Sequence, residues 1–304
     1  MRTDAGFAGV MVALVTPVDE TGAIDEAAVE RLVGRVVAGG VDGISPAGST
    51  GEGPKLTSAE RVSLAARVRA LAPAGMPVIP GVPVVTLAGA LSELEALAGA
   101  GASAALVSPP SYYPLPDDAV LRLYETLADR SPLPLLLYNI PAFTKVRIAP
   151  GVAAELAGHP RVIGMKDSSR DLEYQQQVVL ACAGAGAGFR VFTGTDTLLV
   201  ASLVIGAAGA IVASANLAPE LGTGIYRAFG SGDVPTARRR QEQLVRIVAA
   251  CRRASFPAGW KAALEMAGVC GAHLVPPGAP LSGSQRAELA AELAAALPVE
   301  GLTT

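Results

Sequence analysis

The stretch Val162-Ile163-Gly164-Met165 is apolar or glycine throughout, and it runs straight into Lys166 and Asp167. Only four lysines occur in the chain, at positions 55, 145, 166 and 261. Apolar surroundings favour the neutral form of an amine, and a neutral amine is the nucleophile that condenses with a ketone to give an imine. Once protonated, that imine withdraws electrons and stabilises a carbanion on the neighbouring carbon. A lysine that snorkels to a solvated rim would show the same local pattern, so its neighbours decide which reading holds.

Other apolar runs also end in polar groups. Leu133 to Ile140 carries Tyr138 near its end, where a phenol can relay protons to and from a hydroxyl or carbonyl, or simply pack at a pocket mouth. Gly43 to Ala47 leads into Gly48-Ser49-Thr50-Gly51-Glu52, which offers two hydroxyls and backbone N–H groups in a glycine-flanked turn. That combination suits a carboxylate. A phosphate would accept the same geometry, but the segment lacks the Gly-Lys-Ser/Thr ending of a P-loop and has only Lys55 nearby. Glu52 reads as a residue that orients the loop, and Asp167 as a support for the site or the start of the next helix. Tyr112 and Tyr113 follow Ala104 to Pro109, and Gly194-Thr195-Asp196 closes Phe189 to Gly194.

The elements that must position these groups repeat evenly. Runs rich in Val, Ile and Leu recur at 11–17, 43–47, 77–82, 104–109, 133–140, 162–166, 189–194 and 210–213, each followed by a helical pattern. Near-continuous apolar runs are what strands buried on both faces require. Eight strand and helix pairs predict an α/β fold, a closed (β/α)8 TIM barrel, whose site lies at the C-terminal strand ends. The glycine-rich segment Cys182 to Arg190 falls between a helix and the seventh strand, so it reads as a turn and not as a dinucleotide loop. Helical patterns at 234–254, 257–267 and 284–297 predict a C-terminal helical appendage. The expected organisation is a catalytic barrel over 1–230 and packed helices over 231–304, in one domain.

Composition narrows the partners. With 51% hydrophobic residues and a net charge of -3, the chain can build a large core and offers no attraction to nucleic acid or an anionic membrane. Three dispersed cysteines and two histidines indicate neither a disulfide framework nor a zinc site. The N-terminal apolar run is too short for a signal peptide and no stretch reads as membrane-spanning, so a cytoplasmic protein with a small-molecule ligand is expected.

Taken together, Gly48 to Glu52, Tyr138-Asn139-Ile140-Pro141 and Gly164-Met165-Lys166-Asp167, in that order and spacing, resemble the dihydrodipicolinate synthase and N-acetylneuraminate lyase family of class I, pyruvate-type aldolases. Thr16-Pro17, Gly40 to Gly43 and the segment Ser111 to Pro114 extend the resemblance over nearly the whole chain. It implies Lys166 as the Schiff-base lysine, Tyr138 as general acid and base, and Ser49 and Thr50 as carboxylate-binding or relay residues. It also implies Tyr113 as a relay tyrosine lent to a neighbouring subunit in a homo-oligomeric dimer of dimers. Phe143, Gly194 and Asp196 would line the substrate pocket. No cofactor or metal is implied, because the imine performs the electron withdrawal.

The chain departs from the synthase pattern at Ala142-Phe143-Thr144-Lys145, where synthases of lysine biosynthesis carry an arginine that grips the carboxylate of aspartate semialdehyde. A phenyl ring cannot supply that fork. The sequence therefore leans to a lyase that cleaves or forms a 4-hydroxy-2-oxo acid, such as a 2-keto-3-deoxy sugar acid. A 4-hydroxy-tetrahydrodipicolinate synthase and a non-catalytic 2-oxo acid-binding barrel are the alternatives.

Overall fold

The computed structural model describes residues 7–184, 188–253 and 255–296. Eight strands, β1 (Gly9–Ala13), β2 (Gly43–Ser45), β3 (Gly81–Pro83), β4 (Ala105–Ser108), β5 (Leu135–Asn139), β6 (Val162–Asp167), β7 (Arg190–Thr193) and β8 (Gly209–Val212), alternate with helices. They pair in parallel in the order β2-β1-β8-β7-β6-β5-β4-β3. The remaining seam also closes. Ile44 bridges Val78, the Ile79 N–H donates to Ile44 O at 2.9 Å and the Gly81 N–H to Pro46 O at 2.9 Å. The molecule is thus the (β/α)8 barrel that the repeat requires. β3 is shorter than its apolar run because Pro77 and Pro80 have no N–H to give to a ladder. Beyond β1 the Leu14 N–H still donates to Ser45 O of β2 at 2.9 Å, and the pairing ends at Val15, whose N–H bonds the Asn216 side chain at 3.0 Å.

The outer ring consists of α1 (Glu26–Ala38), α2 (Ser58–Leu71), α3 (Leu87–Gly99), α4 (Asp117–Arg130), the single turn α5 (Pro141–Thr144), α6 (Pro150–Ala157), α7 (Leu172–Cys182), α8 (Leu199–Val204) and α9 (Pro219–Gly230). Asp25, Thr57, Thr86 and Asp171 cap α1, α2, α3 and α7 by accepting first-turn N–H groups that have no partner within the helix. At α2 the capping box is complete, with Glu60 returning a bond to Thr57. The glycine-rich segment lies between α7 and β7 as expected, and residues 185–187 of it fall outside the described residues.

Alternation along the strands sorts the side chains. Met11, Ala13, Leu106, Leu136, Tyr138, Phe192 and Ile211 fill the barrel, while Leu135, Leu137, Val162, Met165 and Val191 face the helices. In strict alternation an outward Val162 would place Lys166 outward as well. A one-residue irregularity prevents this: Leu135 pairs with Val162 but Leu136 pairs with Gly164, so Ile163 is an extra residue and the phase reverses beyond it. Tyr138 and Lys166 then sit opposite each other, both on the inner face.

Three helices follow, α10 (Val234–Arg252), α11 (Ala258–Met266) and α12 (Gly283–Ala296). Leu244, Ile247, Val248, Trp260, Leu264, Leu289 and Leu293 belong to the same buried cluster as Val10, Val12, Val212 and Ile225 of the barrel. Packing α10 against α9 carries its last turn to the mouth of the barrel. No helix among the described residues is long and apolar enough to cross a membrane.

Candidate active site

Lys166 is 4% exposed. Its ammonium lies 4.5 Å from the centre of the Tyr138 ring and forms no ion pair or hydrogen bond among the described residues. The side chain runs across Gly194 at the end of β7. A Cβ at that position would stand 2.8 Å from Lys166 Cε and 2.0 Å from Ser168 Oγ, so any larger residue would push the amine aside.

The Tyr138 hydroxyl reaches Ser49 Oγ at 3.3 Å, a long contact that links the end of β5 to the turn after β2. That turn is wound tightly. Ala47 and Glu52 both adopt left-handed backbone (φ 55°), and a Cβ on Gly53 would fall 1.7 Å from the Ala47 carbonyl. Thr16 Oγ1 donates to Gly51 O at 2.6 Å, and Arg61 donates to Gly53 O at 3.0 Å. The Glu52 carboxylate is buried between Lys55 Nζ at 2.8 Å and Lys261 Nζ at 2.7 Å, which makes it the anchor of the turn. The Lys261 contact is a charge pair without the alignment of a directed hydrogen bond. Burial draws the Lys261 ammonium below its ordinary pKa, and Glu52 opposes that shift. Held in this way, the Ser49 and Thr50 N–H groups donate to no protein acceptor among the described residues, so they and the Thr50 hydroxyl are open to an anion, while Ser49 Oγ accepts from Tyr138 and keeps its own proton to donate.

Asp167 faces outward and does not start a helix; Asp171 caps α7 instead. Its carboxylate accepts from Asn139 Nδ2 at 2.7 Å and from the Ser169 N–H at 3.0 Å, while the Ile148 N–H bonds Asn139 Oδ1 at 3.0 Å. These contacts fix the ends of β5 and β6 side by side. Burial raises the Asp167 carboxyl above its ordinary range, against the lowering effect of the bonds from Asn139 and Ser169.

Ser49, Thr50, Tyr138, Phe143, Lys166, Gly194 and Asp196 all line one cavity of about 280 Å³. Tyr113 does not. It is 71% exposed on the loop after β4, its ring edge-on to Tyr112 at 4.9 Å. Asp196 lines the cavity with its carboxylate already engaged: Oδ1 accepts the Ser214 N–H at 2.8 Å and Oδ2 lies 3.1 Å from Arg252 Nη2. Phe143 is half exposed and meets Phe256 at 5.9 Å, and Lys145 turns outward to the Ala142 carbonyl at 3.0 Å.

Sequence reasoning missed Arg170, Arg252 and Phe256, which share this cavity. Arg170 sits four residues beyond Lys166, and its position in a strand-end loop was the available signal. Arg252 and Phe256 lie outside the strand-helix repeat, where nothing local marks them. Cys251 also lines the cavity, but burial, reinforced by Asp196, pushes its thiol up to about 12, so it is no nucleophile.

The model of the dihydrodipicolinate synthetase family matches residues 6–296. The 4-hydroxy-tetrahydrodipicolinate synthase 1 of Streptomyces coelicolor is 35% identical over 298 residues, covering 97% of this chain and 96% of that protein. An uncharacterized DapA-like lyase of Halobacterium salinarum is 35% identical, covering 95% and 94%. Among solved structures, YagE of E. coli K12, a prophage protein of the dihydrodipicolinic acid synthase family crystallised with pyruvate, superposes with a TM-score of 0.92 at 28% identity, covering 96% of this chain and 99% of that one. A match running nearly from end to end, on a barrel with a buried lysine at its mouth, places the chain in the dihydrodipicolinate synthetase family of pyruvate-dependent class I lyases.

Proposed function

We propose that the protein cleaves or forms a 4-hydroxy-2-oxo acid, giving pyruvate and an aldehyde through an imine on Lys166. The observation that carries this reading is a buried lysine with no counter-ion among the described residues, set against a tyrosine whose hydroxyl contacts Ser49. The C1 carboxylate of the substrate is received by Ser49 and Thr50. Lys166 Nζ then adds to C2 and water leaves, which gives the protonated imine. As the C3–C4 bond breaks, its electron pair moves between C2 and C3 and on to nitrogen, forming an enamine. The C4 hydroxyl proton passes to Tyr138 as Tyr138 passes its own to Ser49 and Ser49 gives up its own to solvent at the cavity mouth, and the same relay run in reverse supplies the proton that C3 needs. The aldehyde departs, C3 takes up a proton, and hydrolysis of the imine releases pyruvate and restores the amine.

Phe143 stands where a synthase arginine is expected, so contacts to the second half of the substrate must come from elsewhere in the cavity. Tyr113, exposed and outside its own chain's cavity, is suited to complete the relay of a second copy in a dimer of dimers. Three buried free thiols suit a cytoplasmic setting. The second reading, 4-hydroxy-tetrahydrodipicolinate synthase, is favoured by the names of relatives such as the Streptomyces coelicolor enzyme.

One panel separates the two readings: pyruvate release from 4-hydroxy-2-oxo acids, measured beside pyruvate-dependent consumption of aspartate semialdehyde. Cleavage with negligible condensation is expected. Efficient condensation and no cleavage would establish the synthase.

A further inference from the structure

Two arginines line the cavity from elements outside the lysine and tyrosine strands, Arg252 half-buried and Arg170 exposed. Arg252 ends α10, and Arg170 lies in the loop between β6 and α7. Each is fixed by the chain around it. Arg252 is held by the buried Asp196 at 3.1 Å through Nη2, which leaves the rest of its fork unassigned. Arg170 adopts left-handed backbone (φ 63°), which is uncommon for a residue with a side chain and persists only where its neighbours enforce it. Here they do. Ser169 is tied to Asp167 by its N–H at 3.0 Å and its hydroxyl at 2.9 Å, and Asp171 caps α7 while pairing with Arg147 at 2.6 Å. Arg170 itself has no ion-pair or hydrogen-bond partner among the described residues. The two cations are also close enough to repel: after burial, which lowers the Arg252 pKa most, Arg170 lowers it further, while Asp196 opposes both.

The cavity thus contains Lys166, Arg170 and Arg252 against one carboxylate, that of Asp196. Like-charge proximity is a cost, and an anion seated between the two forks offsets it. We infer that Arg170 and Arg252 form a second carboxylate site, distinct from the Ser49–Thr50 turn, which selects 2-oxo acids carrying a carboxylate at the end remote from C1. Planar guanidinium forks match a planar carboxylate in two parallel bonds. The contact absent at Phe143 is then supplied from α10 and the β6–α7 loop. This inference rests on the lysine-imine reading above and specifies the class of substrate for that site.

The test compares 2-oxoglutarate with 2-oxopentanoate, which have equal chain length and differ in the distal carboxylate. Imine formation is followed on the full chain by borohydride trapping and mass spectrometry across a concentration series, with pyruvate as the reference. The wild type should hold 2-oxoglutarate at least about tenfold more tightly than 2-oxopentanoate, as expected for a charge-assisted bidentate contact. Arg252→Met should remove most of that preference. Because it also leaves Asp196 buried without its cation, Arg170→Asn is the companion variant, since asparagine tolerates left-handed backbone. It too should lose the preference for 2-oxoglutarate over 2-oxopentanoate, read as the ratio of the two affinities within the variant itself. Equal affinity for the two acids, or a preference that survives both substitutions, overturns the second site and leaves the imine reading standing. Tighter binding of 2-oxo-4-phosphonobutanoate than of 2-oxoglutarate overturns the carboxylate assignment. Absence of any adduct, with pyruvate included, overturns the imine reading itself.

Discussion

Lys166 and Lys261 are both withdrawn from water, at 4% and 0% exposure, and both lie near the turn after β2, yet their surroundings differ. Lys261 has the Glu52 carboxylate at 2.7 Å and acts with Lys55 to anchor that turn. Lys166 has an aromatic ring, a glycine and no carboxylate partner among the described residues. Burial draws the Lys261 ammonium below its ordinary pKa and Glu52 opposes that shift, but Lys261 is not among the residues that line the cavity, whereas Lys166 is. Burial alone therefore does not make a lysine reactive. What separates the two is position and partner: Lys166 faces the cavity with no carboxylate partner among the described residues, and Lys261 is held against Glu52 away from it.

The largest effect that follows concerns stability. Lys261→Met leaves Glu52 buried with one of its two cations gone, and loss of one member of a buried pair costs about 3–5 kcal/mol. Urea denaturation should show that loss, and the paired change Glu52→Gln with Lys261→Met should recover much of it. Pyruvate trapping on the folded variant should persist. If Lys261→Met abolished trapping in the folded protein, the division between a structural and a reactive lysine would fail.

Next comes Tyr138→Phe. It should lower kcat by about 10²-fold, or about 2.7 kcal/mol, while imine trapping stays detectable. Unchanged turnover would reduce Tyr138 to a packing role. Gly194→Ala sharpens the same comparison from the steric side. Its methyl group would meet Lys166 Cε and Ser168 Oγ, so single-turnover imine formation should slow by about tenfold or more, since small misplacements of reacting groups are costly. The counterpart Gly283→Ala, at a position with open space around it, should leave the rate unchanged.

The smallest effect is electrostatic. Asp167 has a raised carboxyl pKa in the fold, so the folded state holds its proton where the unfolded chain has released it. Its contribution to stability is therefore greatest in acid and falls as pH rises from the ordinary carboxylate value through the folded one. In Asp167→Asn that fall is absent. The stability of the wild type relative to the variant should shrink between acid and neutral pH, and a gap that widened instead would contradict the burial argument.

Much of this arrangement was legible in the sequence because each strand is an unbroken apolar run and its polar residues cluster at one end. That rule brings Lys166, Tyr138, Ser49 and Thr50 to notice, and the family resemblance is what attaches roles to them. The extra residue Ile163 was not legible, since Val162-Ile163-Gly164 reads as the same buried strand in either phase, yet that residue decides which way Lys166 points. Arg252 was hidden for another reason: its partner Asp196 lies 56 residues earlier, and only the packing of α10 brings the two together. Asp196 lines the cavity, but its engaged carboxylate is a tertiary fact that no local pattern carries.

The central claim is that of the two buried lysines only Lys166 forms an imine, and one measurement addresses it directly. Borohydride is added to the protein with pyruvate, the chain is digested, and the adduct is located by mass spectrometry. The account predicts one irreversible adduct, on the peptide containing Gly164-Met165-Lys166-Asp167, absent without pyruvate and absent in Lys166→Ala. An adduct on the Lys261 peptide, or a normal yield in Lys166→Ala, would contradict it.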